Sequence, residues 1–488
     1  MAKSIMIQGT MSNVGKSLIC TALCRILKQD GYKVAPFKSQ NMALNSYITK
    51  DGLEMGKAQA VQAEACGIEP SVNMNPVLLK PTGNRNTQVV MNGKVLGNMM
   101  SYDYFEYKKE IIPNIVKAYN TLDEEYDVII IEGAGSPVEI NLKSNDIVNM
   151  RIAKMFKSPV VLVGDIDRGG VFAQLYGTIA LLDEDERNLI KGLIVNKFKG
   201  DVNTFLPGLD MFSQRIEQMS KAPFMGVIPF LETDIDEEDG LSQRLTSDKV
   251  IKEIDIAVIN FPKISNFNDL NPFERLENVS LRYISSVSEI GNPQMIILPG
   301  SKNSISDLKW LRHIGLEDEI IKREKEGVII FGICGGYQML GDSIFDPYNI
   351  EEGESIQGIN FLPVKTIFEK EKIQKQSKGI IKDVKGCFSD LNGLEFHGYE
   401  IHMGRSSSEL PVISSGNIYG TYIHGFFDEI SILSTIIASI CKKNSINIPN
   451  IPVCNINEYK EKQYEKLALE VRNSLDIDML YKIIKDTL

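Results

Sequence analysis

Residues 8–18, QGTMSNVGKSL, decide the fold of the first half of this chain. They follow a short apolar run and open a stretch with helical spacing, residues 15–31 (GKSLICTALCRILKQDG). A helix N-terminus presents unpaired N–H groups and a partial positive charge, which suit a phosphate. Lys16 would add a full charge near the β- and γ-phosphates, and the Ser17 hydroxyl can ligate Mg²⁺. The stretch therefore predicts a phosphate-binding loop, with an ordinary strand–turn–helix as the alternative.

The spacing of this loop is unusual. The common phosphate-binding loop has a glycine, four residues and then Gly-Lys-Ser/Thr. Here Thr10 stands where that first glycine belongs, and Gly9 lies one residue further from Gly15. The loop is thus one residue too long for the common pattern.

The chain around the loop alternates apolar runs with helical stretches. Up to about residue 230 the runs include KVAPF, YDVIIIEGAG, SPVVLVGDID and KGLIVNKFKG. This alternation predicts an α/β fold with a mostly parallel sheet covered on both faces, whose ligands gather at the carboxyl ends of the strands. A second α/β series begins with IDIAVINFP. We predict a synthetase domain over 1–230, a polar linker over 231–250, a second domain over 251–440 and a helical tail over 441–488.

Composition limits the class of protein. The chain has 488 residues, of which 43% are hydrophobic and 24% charged, as in globular enzymes of two or three domains. No apolar run approaches the ~20 residues that span a bilayer, and the N-terminus lacks a signal peptide's apolar region. Seven cysteines form no CxxC pair or zinc spacing, and a net charge of −11 argues against nucleic acid or anionic membrane as partner. We expect a cytoplasmic enzyme for small molecules, and we leave open whether it forms homo-oligomers.

Further polar residues at strand ends are candidates for a nucleotide and its metal ion. Glu132 ends the strand DVIIIE, where a carboxylate can meet Mg²⁺. Asp51 is a second candidate ligand, with a turn-forming Asp-Gly as the alternative. Asn196, after the strand GLIVN, would read a base edge or would close a turn.

The long loop has a counterpart in a known family. GTMSNVGKS resembles the G-T-x-[ST]-x-V-G-K-[ST] loop of the dethiobiotin synthetase-like ATPases, which use ATP to activate a carboxylate. The resemblance implies an ATP site that includes Thr10, Asn13, Gly15, Lys16 and Ser17. The extra residue is then that family's form of the loop.

A second candidate site centres on Cys334. The stretch VIIFGICGGYQMLG, residues 328–341, places this cysteine between a strand and a helix among three glycines, which permit a sharp turn that exposes the side chain. A thiol at a helix N-terminus favours the nucleophilic thiolate, and the N–H of Gly335 points to where an oxyanion would form. The alternative is a buried structural cysteine.

The thiol needs a base, and the chain offers four histidines, His313, His397, His402 and His424. His424, in YGTYIHGFF, ends an apolar strand about 90 residues after the cysteine, and we favour it as the base.

This pattern resembles the class I glutamine amidotransferase domain, in which a cysteine attacks glutamine and ammonia leaves. The segment ILPGSKNSISDL matches the loop with the second oxyanion donor, which we assign to the Gly300 backbone. That family carries a glutamate two residues after the histidine, but this chain has Phe426 there. The site is therefore a Cys–His dyad, or its third member comes from elsewhere, with Glu400 as the nearest guess.

Joined on one chain, the two halves imply ATP-dependent amidation of a carboxylate. The order of PFKSQNMALNSY, DGLEMGKAQAVQAEA, MNPVLLKPTG, GDIDRGGVFA and NKFKGD resembles the cobyric acid synthase family over residues 1–430. That resemblance implies amidation of four side-chain carboxylates of adenosylcobyrinic acid a,c-diamide with ATP, Mg²⁺ and glutamine. It also places Lys38 near phosphate and Asp146 near the acyl-phosphate site, with a helix cap as the alternative for Asp146. GDIDRGG would lie near substrate or end a strand.

Three rival functions remain at this point. The a,c-diamide synthases couple related halves but amidate the two other carboxylates. A pair of enzymes that amidates cell-wall lipid precursors usually has its halves on separate chains. A partitioning-type ATPase shares the phosphate loop and sheet but has no use for a cysteine elbow.

Overall fold

The computed structural model describes residues 2–81, 86–236, 250–448 and 455–486. In its N-terminal half, apolar runs form buried strands that alternate with helices. The strands are β1 (Lys3–Gly9), β2 (Val34–Phe37), β3 (Gln40–Met42), β4 (Ser46–Ile48), β5 (Glu54–Gly56), β6 (Val77–Pro81), β7 (Asn86–Met91), β8 (Lys94–Met100), β9 (Val128–Glu132), β10 (Val160–Asp165), β11 (Ile190–Phe198) and β12 (Phe224–Pro229). The helices are α1 (Lys16–Gln29), α2 (Lys57–Cys66), α3 (Ser101–Glu125), α4 (Met150–Met155), α5 (Val171–Leu181), α6 (Glu184–Arg187) and α7 (Val202–Ile216).

Six of these strands form one parallel sheet in the order β12-β11-β10-β1-β9-β2. Both faces of the sheet are covered, since Met6 packs into one apolar cluster while its neighbours Ile5 and Ile7 pack into another. This is the predicted arrangement, and it brings the carboxyl ends of β1, β2, β9 and β10 to one edge. A smaller sheet, β3-β6-β7-β8, and the hairpin β4-β5 extend from that edge.

The C-terminal half repeats the pattern around a second core. Its strands are β13 (Ile254–Ile259), β14 (Ile264–Ser265), β15 (Val279–Ile284), β16 (Met295–Leu298), β17 (Gly300–Ser301), β18 (Ile329–Ile333), β19 (Ser343–Phe345), β20 (Ile356–Gln357), β21 (Lys365–Ile380), β22 (Glu395–Ser406), β23 (Ile413–Ser415) and β24 (Ile418–Thr421). Its helices are α8 (Asn271–Glu274), α9 (Ser304–His313), α10 (Leu316–Lys325), α11 (Gly335–Leu340) and α12 (Ile430–Asn444).

The main sheet of this half has the order β15-β13-β16-β18-β24-β23 and is parallel apart from β23. A second sheet, β20-β19-β21-β22, contains the two longest strands. The paired strands β21 and β22 form an arm that contacts hairpin β4-β5 of the N-terminal half.

The chain ends in two helices, α13 (Ile456–Ser474) and α14 (Ile477–Lys485). They pack on the N-terminal half, because Leu467, Val471 and Ile484 join the apolar cluster around α1. The predicted tail thus covers one face of the first sheet. Within the predicted linker, Asp234 and Asp236 pair with Arg275, and residues 237–249 lie outside the described ranges. Among the described helices, none has the length and apolar character needed to cross a bilayer.

Candidate active sites

The phosphate loop closes tightly between β1 and α1. A Cβ atom on Gly9 would lie 2.4 Å from Val14 Cγ2, and Gly15 adopts a φ of 95° that favours glycine. Helix α1 begins at Lys16, whose Nζ donates to the carbonyls of Met11 at 3.0 Å and Gly135 at 3.1 Å. The longer spacing therefore still forms a closed loop with its lysine turned inward.

Glu132 is the centre of the polar contacts beside this loop. Ser17 Oγ and Lys38 Nζ both donate to Glu132 Oε1 at 2.8 Å. The contact follows from the sheet, because β9 pairs with β1 on one side and with β2, which Lys38 follows, on the other. Burial opposes ionisation, but the charge of Lys38 and the hydrogen bonds hold the pKa of Glu132 below its ordinary value.

Two glutamines that sequence reasoning missed complete this group. Gln62 Nε2 donates to Glu132 Oε2 at 2.6 Å, and Gln59 Nε2 does so at 3.4 Å. Both lie on α2, three residues apart on one helix face, and both are buried. Their spacing in a helix otherwise rich in Ala places both on one face, but only the packing of α2 shows that this face is buried beside Glu132.

The far side of the loop is held by residues near the end of β11. Asn196 Nδ2 donates to the carbonyl of Val14 at 2.7 Å, and Lys197 Nζ donates to the carbonyl of Asn13. Lys197 also pairs with Asp165 at 2.9 Å, at the end of β10. Asn196 therefore supports the loop, and Lys197 is a supporting residue that the sequence analysis did not identify.

Thr10 lies beside α5, and its Oγ1 donates to Gln174 Oε1 at 3.0 Å. Of the GDIDRGG residues, Asp167 pairs with Lys199 at the surface, and Arg168 is exposed. This segment therefore forms the turn that ends β10, which is the second of the two roles predicted for it.

In the described ranges, no hydrogen bond joins either of two further predicted residues to this group. Asp51 is exposed in the turn of hairpin β4-β5, next to Gly52 with a φ of 75°, which matches the turn-forming alternative. Asp146 accepts hydrogen bonds from the backbone N–H groups of Val148, Asn149 and Arg151, at 2.8 to 3.0 Å. It therefore caps the turn that enters α4, which is its second predicted role.

The oxygen atoms that remain beside the phosphate loop, without Asp51, fit Mg²⁺. Ser17 Oγ and the Glu132 carboxylate are hard oxygen ligands, and Gln62 Oε1 is buried beside them without a hydrogen-bond partner among the described residues. Within the same ranges, no group of three His, Cys, Asp or Glu residues could hold a metal ion. Mg²⁺ takes one or two protein ligands and completes its shell with water and phosphate, so Ser17 and Glu132 provide enough protein oxygens for it.

Cys334 forms a strained elbow between β18 and α11. Its φ is 49° and its ψ is −104°, and it is the residue from which α11 starts. Glycines make room for the turn, since a Cβ atom on Gly336 would lie 1.9 Å from the carbonyl oxygen of Leu298. A Cβ atom on Gly335 would lie 2.8 Å from the backbone nitrogen of Ser301, so the loop of Gly300 lies against the elbow. Strain of this kind commonly marks nucleophiles.

His424 and Asp269 complete a triad with this cysteine. His424 Nδ1 is 2.6 Å from Asp269 Oδ2, and Asp269 Oδ1 accepts the N–H of Gly425 at 3.0 Å. Burial alone would lower the pKa of His424, but Asp269 and the hydrogen bond with Cys334 raise this pKa to about 10. The imidazole therefore stays protonated at neutral pH, and its orientation is set by a buried carboxylate.

The guess that Glu400 orients the histidine is wrong. Glu400 contacts His402, at 3.2 Å, and also Ser377. Asp269 comes instead from the short 3-10 segment Phe267–Leu270, 155 residues before His424. Sequence reasoning missed it because nothing in the local pattern NFNDL marks a catalytic carboxylate.

The other three histidines are elsewhere. His313 is exposed at the end of α9, and His397 pairs with Glu429 at the surface. His402 is buried, donates from Nδ1 to the carbonyl of Gly404 at 2.6 Å, and stacks on Tyr422. Of the four, His424 is the one that the structure brings to Cys334.

The two sites are joined through the segment that carries Asp269. Asn45 Oδ1 accepts the N–H of Asn266 at 2.6 Å, and Asn266 Oδ1 accepts the N–H of Ser46 at 3.2 Å. Tyr399, which stacks on His424, donates its hydroxyl to the carbonyl of Ser46 at 3.1 Å. The hairpin of the nucleotide half therefore contacts the triad's supporting residues directly.

Comparisons with known proteins agree with this two-part arrangement. A family described as the CobQ/CobB/MinD/ParA nucleotide binding domain matches residues 5–241, and one described as the CobB/CobQ-like glutamine amidotransferase domain matches residues 255–431. The cobyric acid synthase of Lachnoclostridium phytofermentans is 56% identical over 512 residues, covering 100% of both chains. The chain belongs to the cobyric acid synthase family. Two other cobyric acid synthases are similar over nearly their whole length, at 52% identity in Ruminiclostridium cellulolyticum (98% of that chain) and 47% in Caldanaerobacter subterraneus subsp. tengcongensis (99%).

Membership in the cobyric acid synthase family confirms three predictions. The family is the one that the order of motifs indicated. The fold is α/β, with a nucleotide-binding half before an amidotransferase half. The chain is a glutamine-dependent amide ligase, which removes the partitioning-type ATPase as a rival.

Proposed function

We propose that the chain amidates the b, d, e and g side-chain carboxylates of adenosylcobyrinic acid a,c-diamide, with ATP as the activating substrate and glutamine as the nitrogen donor. The observation that carries the proposal is the pairing of two sites on one chain, a Cys334–His424–Asp269 triad and a phosphate loop with Glu132. Full-length similarity to cobyric acid synthases supports the substrate class.

At the triad, Cys334 passes its thiol proton to His424, and the resulting thiolate attacks the side-chain amide carbon of glutamine. The developing oxyanion is stabilised by the backbone N–H groups that we assign to Gly335 and Gly300. His424 gives its proton to the amide nitrogen, ammonia leaves, and a thioester with Cys334 remains. Water then attacks the thioester, His424 takes up a proton from that water, and glutamate is released.

At the nucleotide half, Lys16 and the N-terminus of α1 stabilise negative charge on the β- and γ-phosphates. A substrate carboxylate oxygen attacks the γ-phosphorus of ATP, which gives an acyl phosphate and ADP. Ammonia then attacks the acyl carbon and displaces phosphate, which leaves the amide. Lys38 and Glu132 form an ion pair at the strand edge where this reaction occurs, so their charges cancel there.

We propose Ser17 and Glu132 as the protein ligands of Mg²⁺, which would neutralise phosphate charge when bound. Asp51 contributes to its turn in this proposal and not to the metal site. The six cysteines in the described ranges are all free thiols, which supports work in a reducing cytoplasm.

The test is incubation of the purified protein with ATP, Mg²⁺, glutamine and either cobyrinic acid or its a,c-diamide. We expect four new amides on the a,c-diamide, identified by mass and by position. Amides added only at the a and c carboxylates would assign the chain to the other diamide-forming reaction and contradict the proposal.

A further inference from the structure

Three lysines from both halves of the molecule surround one buried carboxylate. Glu54, on hairpin β4-β5, has a fully buried side chain and pairs with Lys80 at 2.8 Å and Lys372 at 2.6 Å. Lys302 Nζ donates to Gln88 Oε1 at 3.1 Å, and Lys372 Nζ lies 3.5 Å from the same oxygen. We call Lys80, Lys302 and Lys372 the interface lysine cluster, since Lys80 belongs to the nucleotide half and the other two to the amidotransferase half.

The charges of this cluster do not balance. Lys80 and Lys372 suffice to neutralise Glu54, and no carboxylate in the described ranges forms an ion pair with Lys302, although the charges of Glu54 and Glu351 act on it at longer range. Burial and the neighbouring ammonium groups lower the pKa of Lys302 to about 7 and that of Lys372 to about 8. An uncompensated cation in such surroundings is costly, and an anion placed among the three lysines would remove that cost.

The cluster lies beside the nucleophile. Lys302 is two residues after Gly300, in the loop that packs against the elbow. Lys372 is close enough to Cys334 for the two side chains to interact electrostatically. An anion held by the cluster would therefore lie within reach of the glutaminase site and face the nucleotide half.

We propose that the interface lysine cluster binds a substrate carboxylate, with Lys302 as its principal contact. Two substrates of the reaction carry such a group, the α-carboxylate of glutamine and the side-chain carboxylates of the corrinoid. This inference rests on the proposed function, from which both substrates come. An ammonium group is a suitable point charge for a carboxylate, and hydrogen bonds to charged groups contribute strongly to binding.

The experiment measures KM for each substrate in the wild type and in Lys302→Met. If glutamine supplies the carboxylate, its KM rises about 10- to 100-fold with little change in kcat. The wild type's preference for glutamine over 4-aminobutanamide, which lacks the α-carboxylate, then shrinks by a similar factor. If the corrinoid supplies it, the corrinoid KM rises by that amount with ammonium chloride as the nitrogen donor, while the glutamine KM is unchanged.

Two further variants keep the test decisive. Lys302→Arg retains the charge and should recover most of the affinity, whereas Lys378→Met removes an exposed lysine of β21 outside the cluster and should change neither KM. Lys372→Gln repeats the comparison if Lys302→Met does not fold. Unchanged KM values for both substrates in a folded cluster variant overturn the inference. Failure of the wild type to form any amide would instead contradict the proposed function.

Discussion

The nucleotide site and the glutaminase site are built in opposite ways. The phosphate loop is one contiguous stretch, and its Ser17 meets Glu132 because β1 and β9 are neighbouring strands of one sheet. The triad assembles Cys334 from an elbow, His424 from beyond β24 and Asp269 from a 3-10 segment in another part of the chain. Local turn geometry therefore makes the first site, whereas packing of distant segments makes the second.

Both sites nevertheless use a strand-to-helix turn with a positive φ. In the phosphate loop this residue is Gly15, which adopts the conformation without steric cost. At the elbow it is Cys334, for which such a backbone costs on the order of 1–3 kcal/mol. The strain persists because the neighbouring glycines let α11 pack directly on β16.

The largest effect is expected at the nucleophile. Cys334→Ser should lower glutamine-dependent amidation by about 10⁴-fold or more, because a serine hydroxyl is a far weaker nucleophile than a cysteine thiolate at neutral pH. Synthesis from ammonium chloride should continue at the wild-type rate, since the nucleotide site is untouched. Amide yield from each nitrogen donor is the measurement, and retained glutamine use would refute the role of Cys334.

Asp269→Asn tests whether the third member of the triad is needed for glutamine use. We expect glutamine-dependent turnover to fall by roughly 10³-fold, because an amide holds the imidazole less well and does not stabilise its charge. Ammonia-dependent synthesis should be unaffected. A matched Glu400→Gln variant serves as control, and an equal loss in that variant would mean that the two carboxylates share the role.

Lys16→Ala should affect both nitrogen donors equally, which separates the nucleotide site from the triad. We expect a loss of roughly 10²- to 10³-fold in amide formation, because the charge that meets the transferred phosphoryl group is gone. Glutamine hydrolysis and ATP turnover are measured side by side. A variant that loses only glutamine-dependent synthesis would break the proposed division between the sites.

The buried His424–Asp269 pair predicts a pH-dependent stability. The pKa of His424 is raised to about 10 in the folded protein, so its stabilising contribution is complete below the unfolded pKa of about 6.5. The contribution is lost as pH rises from there through about 10, so the free energy of unfolding decreases over that range. Urea unfolding between pH 6 and pH 10 measures it, and Asp269→Asn should flatten the dependence.

The smallest effect is expected at Asp146. Asp146→Ala should lower the free energy of unfolding by about 1 kcal/mol, because three backbone N–H groups lose their acceptor. Asp146→Asn keeps a capping oxygen and should retain both stability and amidation. If the asparagine variant is stable but inactive, Asp146 acts on the substrate and not only as a cap.

Much of the nucleotide site could be predicted from the sequence, because its groups either lie in one loop or end buried strands. Glu132 and Lys38 lie at the ends of buried strands, and parallel strands bring their carboxyl ends to the same edge of the sheet. Asp51 shows the limit, because a polar residue after a strand-like run can equally belong to a hairpin turn that points away. Gln59 and Gln62 lie in a helix whose buried face is visible only once α2 packs beside Glu132.

The fold class, the phosphate loop, the cysteine elbow and His424 as the candidate base could all be predicted from the sequence, because each leaves a local pattern of glycine, apolar and reactive residues. Tertiary packing, by contrast, brings Asp269 to His424, lays α13 and α14 over the first sheet, and gathers lysines from both halves at Glu54. These arrangements join residues more than a hundred positions apart. Hydrophobic packing and the pairing of buried charges select such contacts, and neither leaves a local pattern in the chain.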